Sequence, residues 1–291
     1  MGYLCVLISL FAGATKGFMG KKISSNVTTF RQSAFVNMFR MFICVAVSAL
    51  SLAAESAGGS FVVDKAAIIY GTLAGVSLSF FIITWLLAVR HGAFMLISVS
   101  QMFGVVITLI CSLVVFRDPI TPKQLFAILI LIAAVLIMAS YSTGIKGKMR
   151  AFGIVMVVVC GISSGIYDFS LKLFTYYSEA NVSTLNFITY TISSIMLVAM
   201  TSVPTDDKFD KKTLFKSEFI AILIMSVCLF VHSYFKAMAN NYLSVSQVYP
   251  ISQAGGLILS ALMSTLFFKE KMTLRCVAGM SLAFIAVILL K

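Results

Sequence analysis

The sequence predicts an all-α integral membrane protein: ten transmembrane helices as two inverted five-helix repeats. Composition, long apolar runs and an internal repeat support this prediction. Of the 291 residues, 60% are hydrophobic and 11% are charged, whereas a typical soluble domain has about 45–50% apolar and about 25% charged residues. This fraction of charged residues is too small for the surface of a water-soluble protein. The composition therefore excludes a soluble domain, a disordered chain and a disulfide scaffold.

The apolar runs each extend over about 20 residues, which is the length of one helical membrane span. Strands of a membrane barrel would instead alternate apolar and polar residues over about 10 positions. The predicted helices occupy 2–19, 32–54, 66–89, 93–116, 122–142, 150–174, 183–203, 217–239, 243–268 and 273–290. The polar interruptions that separate them are short, and the longest is the segment 205–216, between the seventh and eighth helices.

The internal repeat relates residues 98–121 to residues 250–273 without a gap. Polar and small residues match in one register, which apolar low-complexity sequence does not readily produce. The identical pairs are Ser100 and Ser252, Gln101 and Gln253, Gly104 and Gly256, Ser112 and Ser264, Phe116 and Phe268, and Thr121 and Thr273. A weaker match relates the GxxxG motif at Gly13 and Gly17 to the one at Gly161 and Gly165, a common close-packing device of membrane helices.

The repeat divides the chain into a first half, residues 1–144, and a second half, residues 145–291. Each half contains five predicted helices, and because five is odd the second half must enter the membrane in the opposite sense. Inverted repeats of this kind are typical of secondary transporters, whose two halves rock around a central site. The leading functional prediction is therefore a transporter that works by alternating access.

Motifs in the last two helices of each half resemble the drug/metabolite transporter superfamily, specifically its EamA-type ten-helix branch. The second half carries Tyr249-Pro250-Ile251, the turn Phe268-Lys269-Glu270-Lys271-Met272-Thr273, and Gly279. The first half has Asp118 and Thr121 at the matching turn, but Ser98 and Ala127 where the second half has Pro250 and Gly279. Arg40 is similar to an arginine often found in the family's second helix. The resemblance covers essentially the whole chain and implies the transporter fold and activity, without naming a substrate.

Charged side chains inside the predicted spans are the main candidates for a functional site. Each costs about 2.5–3.5 kcal/mol on insertion scales, so such residues usually face a cavity or a partner. The residues of this kind are Lys16, Arg40, Asp168, Lys172 and Lys236, and His232 is the histidine within a span.

Asp168 and Lys172 lie four residues apart on one helix and can form an ion pair. The alternative is that Asp168 couples transport to a proton or cation. His232 and Lys236 share the same spacing on another helix, where His232 is either a hydrogen-bonded core histidine or a titratable cavity group. Lys236 alternatively extends to the membrane interface.

Arg40 cannot be neutralised, so it either binds helix ends or lipid phosphate, or contacts the substrate. Lys16 lies at the interface or in the site. The repeat adds Gln101, Gln253 and Tyr249 as uncharged substrate-binding candidates. Trp85 is interpreted as an interfacial anchor.

Four cations against one acid within the spans predict an anionic or zwitterionic substrate. The alternative is an exporter of cationic or hydrophobic drugs, for which Asp168 would have to supply a free carboxylate. An integral membrane enzyme or a channel is the alternative from a different functional class. The sequence offers no catalytic constellation for an enzyme, and the inverted repeat favours rocking over a channel's symmetric pore.

No cofactor or metal site is expected, because the six cysteines lie in apolar stretches without a CxxC pair. The absence of a P-loop argues against an ATP-driven pump. The net charge of +12 is attributed to basic loops beside the bilayer rather than to nucleic-acid binding.

The expected partners are the lipid bilayer and a small molecule, with a homodimer through the last helix as an open alternative to packing within the bundle. The expected location is the plasma (inner) membrane if the source is bacterial. The positive-inside rule places both termini outside, whereas the family resemblance implies cytoplasmic termini, and both orientations remain open.

Overall fold

The computed structural model describes residues 1–57, 62–91, 94–116, 121–142, 151–202, 210–268 and 274–290. No strand occurs in these ranges, so the all-α prediction is confirmed for the described residues. Their helices are α1 (Gly2–Ser24), α2 (Phe30–Ser56), α3 (Lys65–His91), α4 (Phe94–Phe116), α5 (Pro122–Ser142), α6 (Ala151–Tyr177), α7 (Val182–Ser202), α8 (Lys211–Ala239), α9 (Val245–Phe268) and α10 (Leu274–Leu290).

Five helices are long and apolar enough to cross a membrane within the ranges that the structure describes. They are Gly2–Ser24, Phe30–Ser56, Lys65–Val89, Val182–Ser202 and Thr213–Ala239. Shorter apolar stretches occur in α4, α5 and α10. Large apolar side chains also point outward, including Leu50, Ile220 and Leu266, each more than 70% exposed. Such an exterior is favourable in lipid and not in water, which identifies an integral membrane protein.

Two helices extend further into polar sequence than the hydrophobic pattern predicts. α1 continues to Ser24, past Lys21 and Lys22, and α8 begins at Lys211 rather than at residue 217. Long basic side chains reach the polar interface from a helical backbone, so they do not stop a helix at the membrane boundary. At the start of α8, the carboxylate of Asp210 accepts a 3.4 Å hydrogen bond from the backbone N–H of Thr213.

The main helix contacts follow a regular pattern. α1 packs against α8 and α9, while α6 packs against α3 and α4. α2 contacts α7, α5 contacts α10, and α4 contacts α9. The pattern is symmetric between the two halves of the chain. If α1 is exchanged with α6, α2 with α7, and so on to α5 with α10, the same set of contacts results.

The α4–α6 crossing brings two backbones together at glycines. A Cβ atom added to Gly165 would lie 2.7 Å from the carbonyl oxygen of Gly104, and one added to Gly104 would lie 2.9 Å from that of Gly161. The hydroxyl of Thr108 donates a 3.0 Å hydrogen bond to the carbonyl oxygen of Gly165 across the same crossing. Small residues of this kind let membrane helices approach closely.

Candidate functional site

A central cavity with a volume of about 80 Å³ lies between α1, α3, α6, α8 and α9. Five residues that the sequence singled out line it, namely Lys16, Asp168, His232, Lys236 and Gln253. Arg40 borders a smaller cavity of about 10 Å³, whose wall also includes Lys16. Six of the nine candidate residues therefore surround two neighbouring cavities.

The site lies deep within the helix bundle. Asp168 is nine residues from the end of α6, a distance of about 14 Å at a rise of about 1.5 Å per residue. Arg40 is ten residues from the start of α2, or about 15 Å by the same rise. Each of these two helices has 27 residues, or about 40 Å by the same rise, so both side chains lie more than a third of the way along their helices.

The ion pair in the cavity joins two different helices. Lys236 Nζ on α8 donates to both carboxylate oxygens of Asp168 on α6, at 2.8 and 2.9 Å. Both side chains are 3% exposed. The sequence placed Lys172 beside Asp168, whereas the structure directs Lys172 to the backbone carbonyl of Asn240 at 3.4 Å. Interhelical packing therefore supplies the counter-ion that the spacing of four residues suggested within α6.

Helix α9 also contributes polar side chains around Asp168. Tyr249 OH donates a 2.6 Å hydrogen bond to the backbone carbonyl of Asp168 and accepts one of 2.9 Å from Asn240 Nδ2. Gln253, one turn later on α9, lines the same cavity. The Lys236 ammonium lies 5.0 Å from the centre of the Tyr249 ring, within range of a cation–π interaction. Tyr249 therefore orients the ion pair, while Gln253 also reaches the cavity.

His232 is fixed against α1. Its Nδ1 lies 2.8 Å from the carbonyl oxygen of Ser9, and the Ser9 hydroxyl donates a 2.9 Å hydrogen bond to the His232 carbonyl oxygen. Because a carbonyl oxygen only accepts, Nδ1 carries the proton, and Nε2 is the nitrogen of a neutral ring that can accept a hydrogen bond. A Cβ atom on Gly13 would lie 2.9 Å from Nδ1, so glycine allows the ring to approach the helix.

Two cations have no acidic partner among the described residues. Arg40 is 3% exposed, and its Nη1 donates to Asn37 Oδ1 at 3.3 Å. Its Nε is buried and has no hydrogen-bond partner within the described ranges. Lys16 contributes to the walls of both cavities, and within those ranges its ammonium forms no ion pair or hydrogen bond.

Charge around the site is unbalanced. Lys16, Arg40 and Lys236 contribute three positive charges, and Asp168 contributes the one acid in the described cavity walls. A buried cation without a counter-ion is unfavourable unless water, a dipole or an anion compensates it. The cavity can therefore attract and hold a negatively charged group.

Some functional residues were not found from the sequence. Ser9 and Asn240 are uncharged, and their roles depend on contacts with helices distant in sequence. Trp85 was interpreted as an interfacial anchor, yet its side chain is 8% exposed and lines both cavities. The side chain of the remaining candidate, Gln101, lies outside the described part of the chain. Its repeat partner Gln253 is in the site.

The chemistry of the cavity walls is suited to binding. The described residues include no group of three or more histidine, cysteine or acidic side chains that could hold a metal ion. The cavity offers ammonium and guanidinium donors, hydroxyls, one amide and one imidazole. These groups can bind and orient a small polar molecule through hydrogen bonds and charge.

Comparison with known proteins agrees with this architecture. Residues 151–291 match the model of the EamA-like transporter family. Twenty-eight chains of solved structures also match. One of them, whose title reads "Crystal structure of protein", has a TM-score of 0.71 and is 13% identical in sequence. The match covers 99% of this chain and 95% of that one, and it shows a shared fold. Among curated proteins, none matches significantly.

Proposed function

We propose that this chain is a secondary transporter, and the match of residues 151–291 to the model of the EamA-like transporter family supports the proposal. It moves a small anionic or zwitterionic metabolite by alternating access. The observation that carries the proposal is the pair of adjoining buried cavities in whose walls Lys16 and Arg40 have no carboxylate partner among the described residues. An anionic substrate would supply the missing charge and would be released when the cavity opens to water.

All ten helices span the membrane in this proposal, as two inverted five-helix repeats, 1–144 and 145–291. The sequence supports it through the register that aligns residues 98–121 with residues 250–273. The packing supports it because the main contacts are preserved when helices five places apart are exchanged. Such a pair of similar units can exchange conformations and expose a central site first to one side and then to the other.

Asp168 and Lys236 form the coupling element in this mechanism. In the described conformation Lys236 donates hydrogen bonds to both oxygens of the Asp168 carboxylate. Protonation of Asp168 would release Lys236, which could then bind the anionic substrate. A drug exporter that binds cations would instead need this carboxylate free, and Lys236 occupies it.

Counterflow in proteoliposomes tests the proposal. Liposomes containing the purified protein are loaded with one unlabelled metabolite, and uptake of the same labelled compound is followed. The panel includes carboxylates, amino acids, sugar phosphates and quaternary amines. We expect transient accumulation above equilibrium for anions or zwitterions, because an alternating-access carrier exchanges the two pools.

Three results would contradict the proposal. Simple equilibration without accumulation would identify a channel, and uptake of quaternary amines alone, abolished in Asp168→Asn, would identify a cation or drug exporter. Absence of counterflow for every compound in a folded preparation would contradict transport. Empty liposomes and liposomes with heat-inactivated protein are the controls.

A further inference from the structure

The 10 Å³ cavity beside the main one is built around a cation with unmet hydrogen-bonding capacity. Its walls are Lys16 from α1, Arg40 from α2, and Phe81, Ile82 and Trp85 from α3. Lys16, Phe81 and Trp85 also line the 80 Å³ cavity, so the two spaces adjoin. The smaller cavity is therefore a side chamber of the proposed substrate site.

Arg40 provides the evidence for a ligand in this chamber. Its side chain is more than nine-tenths buried, and its Nε has no partner in the described ranges. The hydrogen bond that it does form joins Nη1 to Asn37, one turn earlier on the same helix, at 3.3 Å. A guanidinium N–H donates a strong, charge-assisted hydrogen bond to a carboxylate oxygen. Burying such a group with its Nε donor unused is costly, unless a ligand accepts the hydrogen bond.

Lys16 lines the same chamber from α1. It has no acidic partner among the described residues, because the carboxylate of the nearby Asp168 is bound by Lys236. An ammonium and a guanidinium on two helices therefore converge on one small space with aromatic walls. Phe81 and Trp85 exclude water from part of it, which strengthens any charge-assisted hydrogen bond formed there.

The sizes of the two cavities restrict the ligand. A volume of 10 Å³ is about the space that one water molecule or one oxygen atom requires. A flat carboxylate can insert one oxygen into such a space, whereas a tetrahedral phosphate would bring a bulkier group. The adjoining 80 Å³ is well below the roughly 300–1,000 Å³ of sites for drug-sized ligands. A nucleotide or sugar nucleotide is therefore too large for this conformation.

We propose that the space between Lys16 and Arg40 is a carboxylate subsite and that the substrate is a small organic acid or amino acid. Its carboxylate binds both cations, and the rest of the molecule occupies the 80 Å³ cavity beside His232 and Gln253. This proposal rests on the proposed transport function but concerns binding, which can be measured separately.

Trp85 makes the binding test direct. It is the single tryptophan of the chain, and it lines the subsite, so its intrinsic fluorescence reports on the chamber. The purified full-length protein in detergent is titrated with acetate, succinate and glutamate. Acetamide and inorganic phosphate serve as the uncharged and tetrahedral comparisons. We expect a saturable fluorescence change with the carboxylates and a much weaker one with acetamide and phosphate.

Variants connect the signal to the two cations. Lys16→Met and Arg40→Lys should each weaken carboxylate binding by about tenfold or more, which corresponds to one lost charge-assisted hydrogen bond. Lys172→Met is the matched control, since Lys172 Nζ donates to the backbone of Asn240 and does not line either cavity. It should leave the carboxylate affinity unchanged. Size-exclusion profiles and thermal unfolding identify any variant that has failed to fold.

The outcomes separate this inference from the transport proposal. Unchanged affinity in both folded cavity variants, or equal saturation by phosphate, would overturn the subsite even if counterflow is observed. Carboxylate binding that depends on Lys16 and Arg40 would support the subsite even if no compound shows counterflow. If Arg40→Lys does not fold, a folded Lys16→Met variant that binds normally is sufficient to reject the proposal.

Discussion

The α4–α6 and α1–α9 crossings carry matching glycines but pack differently. At the first, Gly104 and Gly165 leave no room for a Cβ atom between the backbones. At the second, a Cβ atom on Gly256, the repeat partner of Gly104, would meet no atom within 4 Å. Gly13, Gly17 and Gly256 instead line the central cavity. One sequence pattern thus exists in a closed and an open form within one molecule.

This difference indicates how the two halves could work. A Cβ atom on Gly256 would meet open space, so packing in the described conformation does not require glycine at this position. If the halves exchange states, the α1–α9 crossing closes while the α4–α6 crossing opens. The cavity would then move to the other half of the bundle, which is the rocking expected of inverted repeats.

Breaking the ion pair between Asp168 and Lys236 should have the largest effect on stability. Asp168 lies three residues after Gly165 on α6, and its partner Lys236 is on α8, which packs against α1. Asp168→Asn leaves a buried ammonium without its counter-ion, so the free energy of unfolding should fall by about 3–5 kcal/mol. Denaturant titration in detergent measures the loss.

The double variant Asp168→Asn with Lys236→Met is the control for this prediction. It removes both charges and should recover a large part of the lost stability, because no unpaired charge remains. Equal losses in the single and double variants would show that the pair has no electrostatic role.

Filling the closed crossing should have the next largest effect. In Gly165→Val the added atoms collide with the backbone of Gly104, whose carbonyl oxygen would lie 2.7 Å from the Cβ atom. Overpacking of this kind costs about 1–3 kcal/mol, and we expect a lower unfolding temperature together with loss of counterflow. Gly165→Ala should show a smaller effect in the same direction. Native stability in Gly165→Val would contradict the close approach.

The open crossing gives the opposite result in the same assays. Gly256→Ala meets open space, so its free energy of unfolding should stay within about 0.5 kcal/mol of the native value. Its counterflow rate should nevertheless fall, because the new methyl group would hinder closure against α1. A native transport rate would indicate that this crossing does not close during the cycle.

The sequence predicted the features that depend on local pattern. Long apolar runs predicted the all-α class. Because charge in lipid is costly, the charged residues Lys16, Arg40 and Lys236 within these runs were predicted to belong to a site. The ends of α1 and α8 were less predictable, since basic residues at a membrane boundary are compatible with both helix and loop.

The pairing within the site could not be predicted from the sequence. Asp168 and Lys236 are 68 positions apart, and only the packing of α6 near α8 brings them together. The spacing of Asp168 and Lys172 pointed to a local pair, but tertiary packing provided a different partner. The same limit applies to Ser9, which contacts His232 across 223 positions, and to Trp85, whose place in the cavity wall depends on how α3 is oriented.

The smallest expected change in stability concerns the N-terminal caps of α3 and α8, which occupy equivalent positions in the two halves of the chain. Asp64 accepts hydrogen bonds from Ala67 N at 2.6 Å, from Ser178 Oγ at 2.9 Å and from Glu179 N at 3.1 Å. Asp210 caps α8 from an exposed position. Because Asn keeps an acceptor oxygen and removes only the charge, Asp64→Asn should lower the free energy of unfolding by about 0.3 kcal/mol, and Asp210→Asn should lower it by less.

The Asp64 cap also predicts an acid dependence. Burial tends to raise the pKa of Asp64, but the hydrogen bonds from Ala67, Ser178 and Glu179 outweigh it and lower the pKa below its ordinary value. Since the folded pKa is lowered, the cap contributes stability above the unfolded value of about 3.9. That contribution is lost as the pH falls through the folded value. Unfolding temperatures measured from neutral pH down to the acid range should converge for the native protein and Asp64→Asn. A constant difference at all pH values would show that the Asp64 charge does not stabilise the cap.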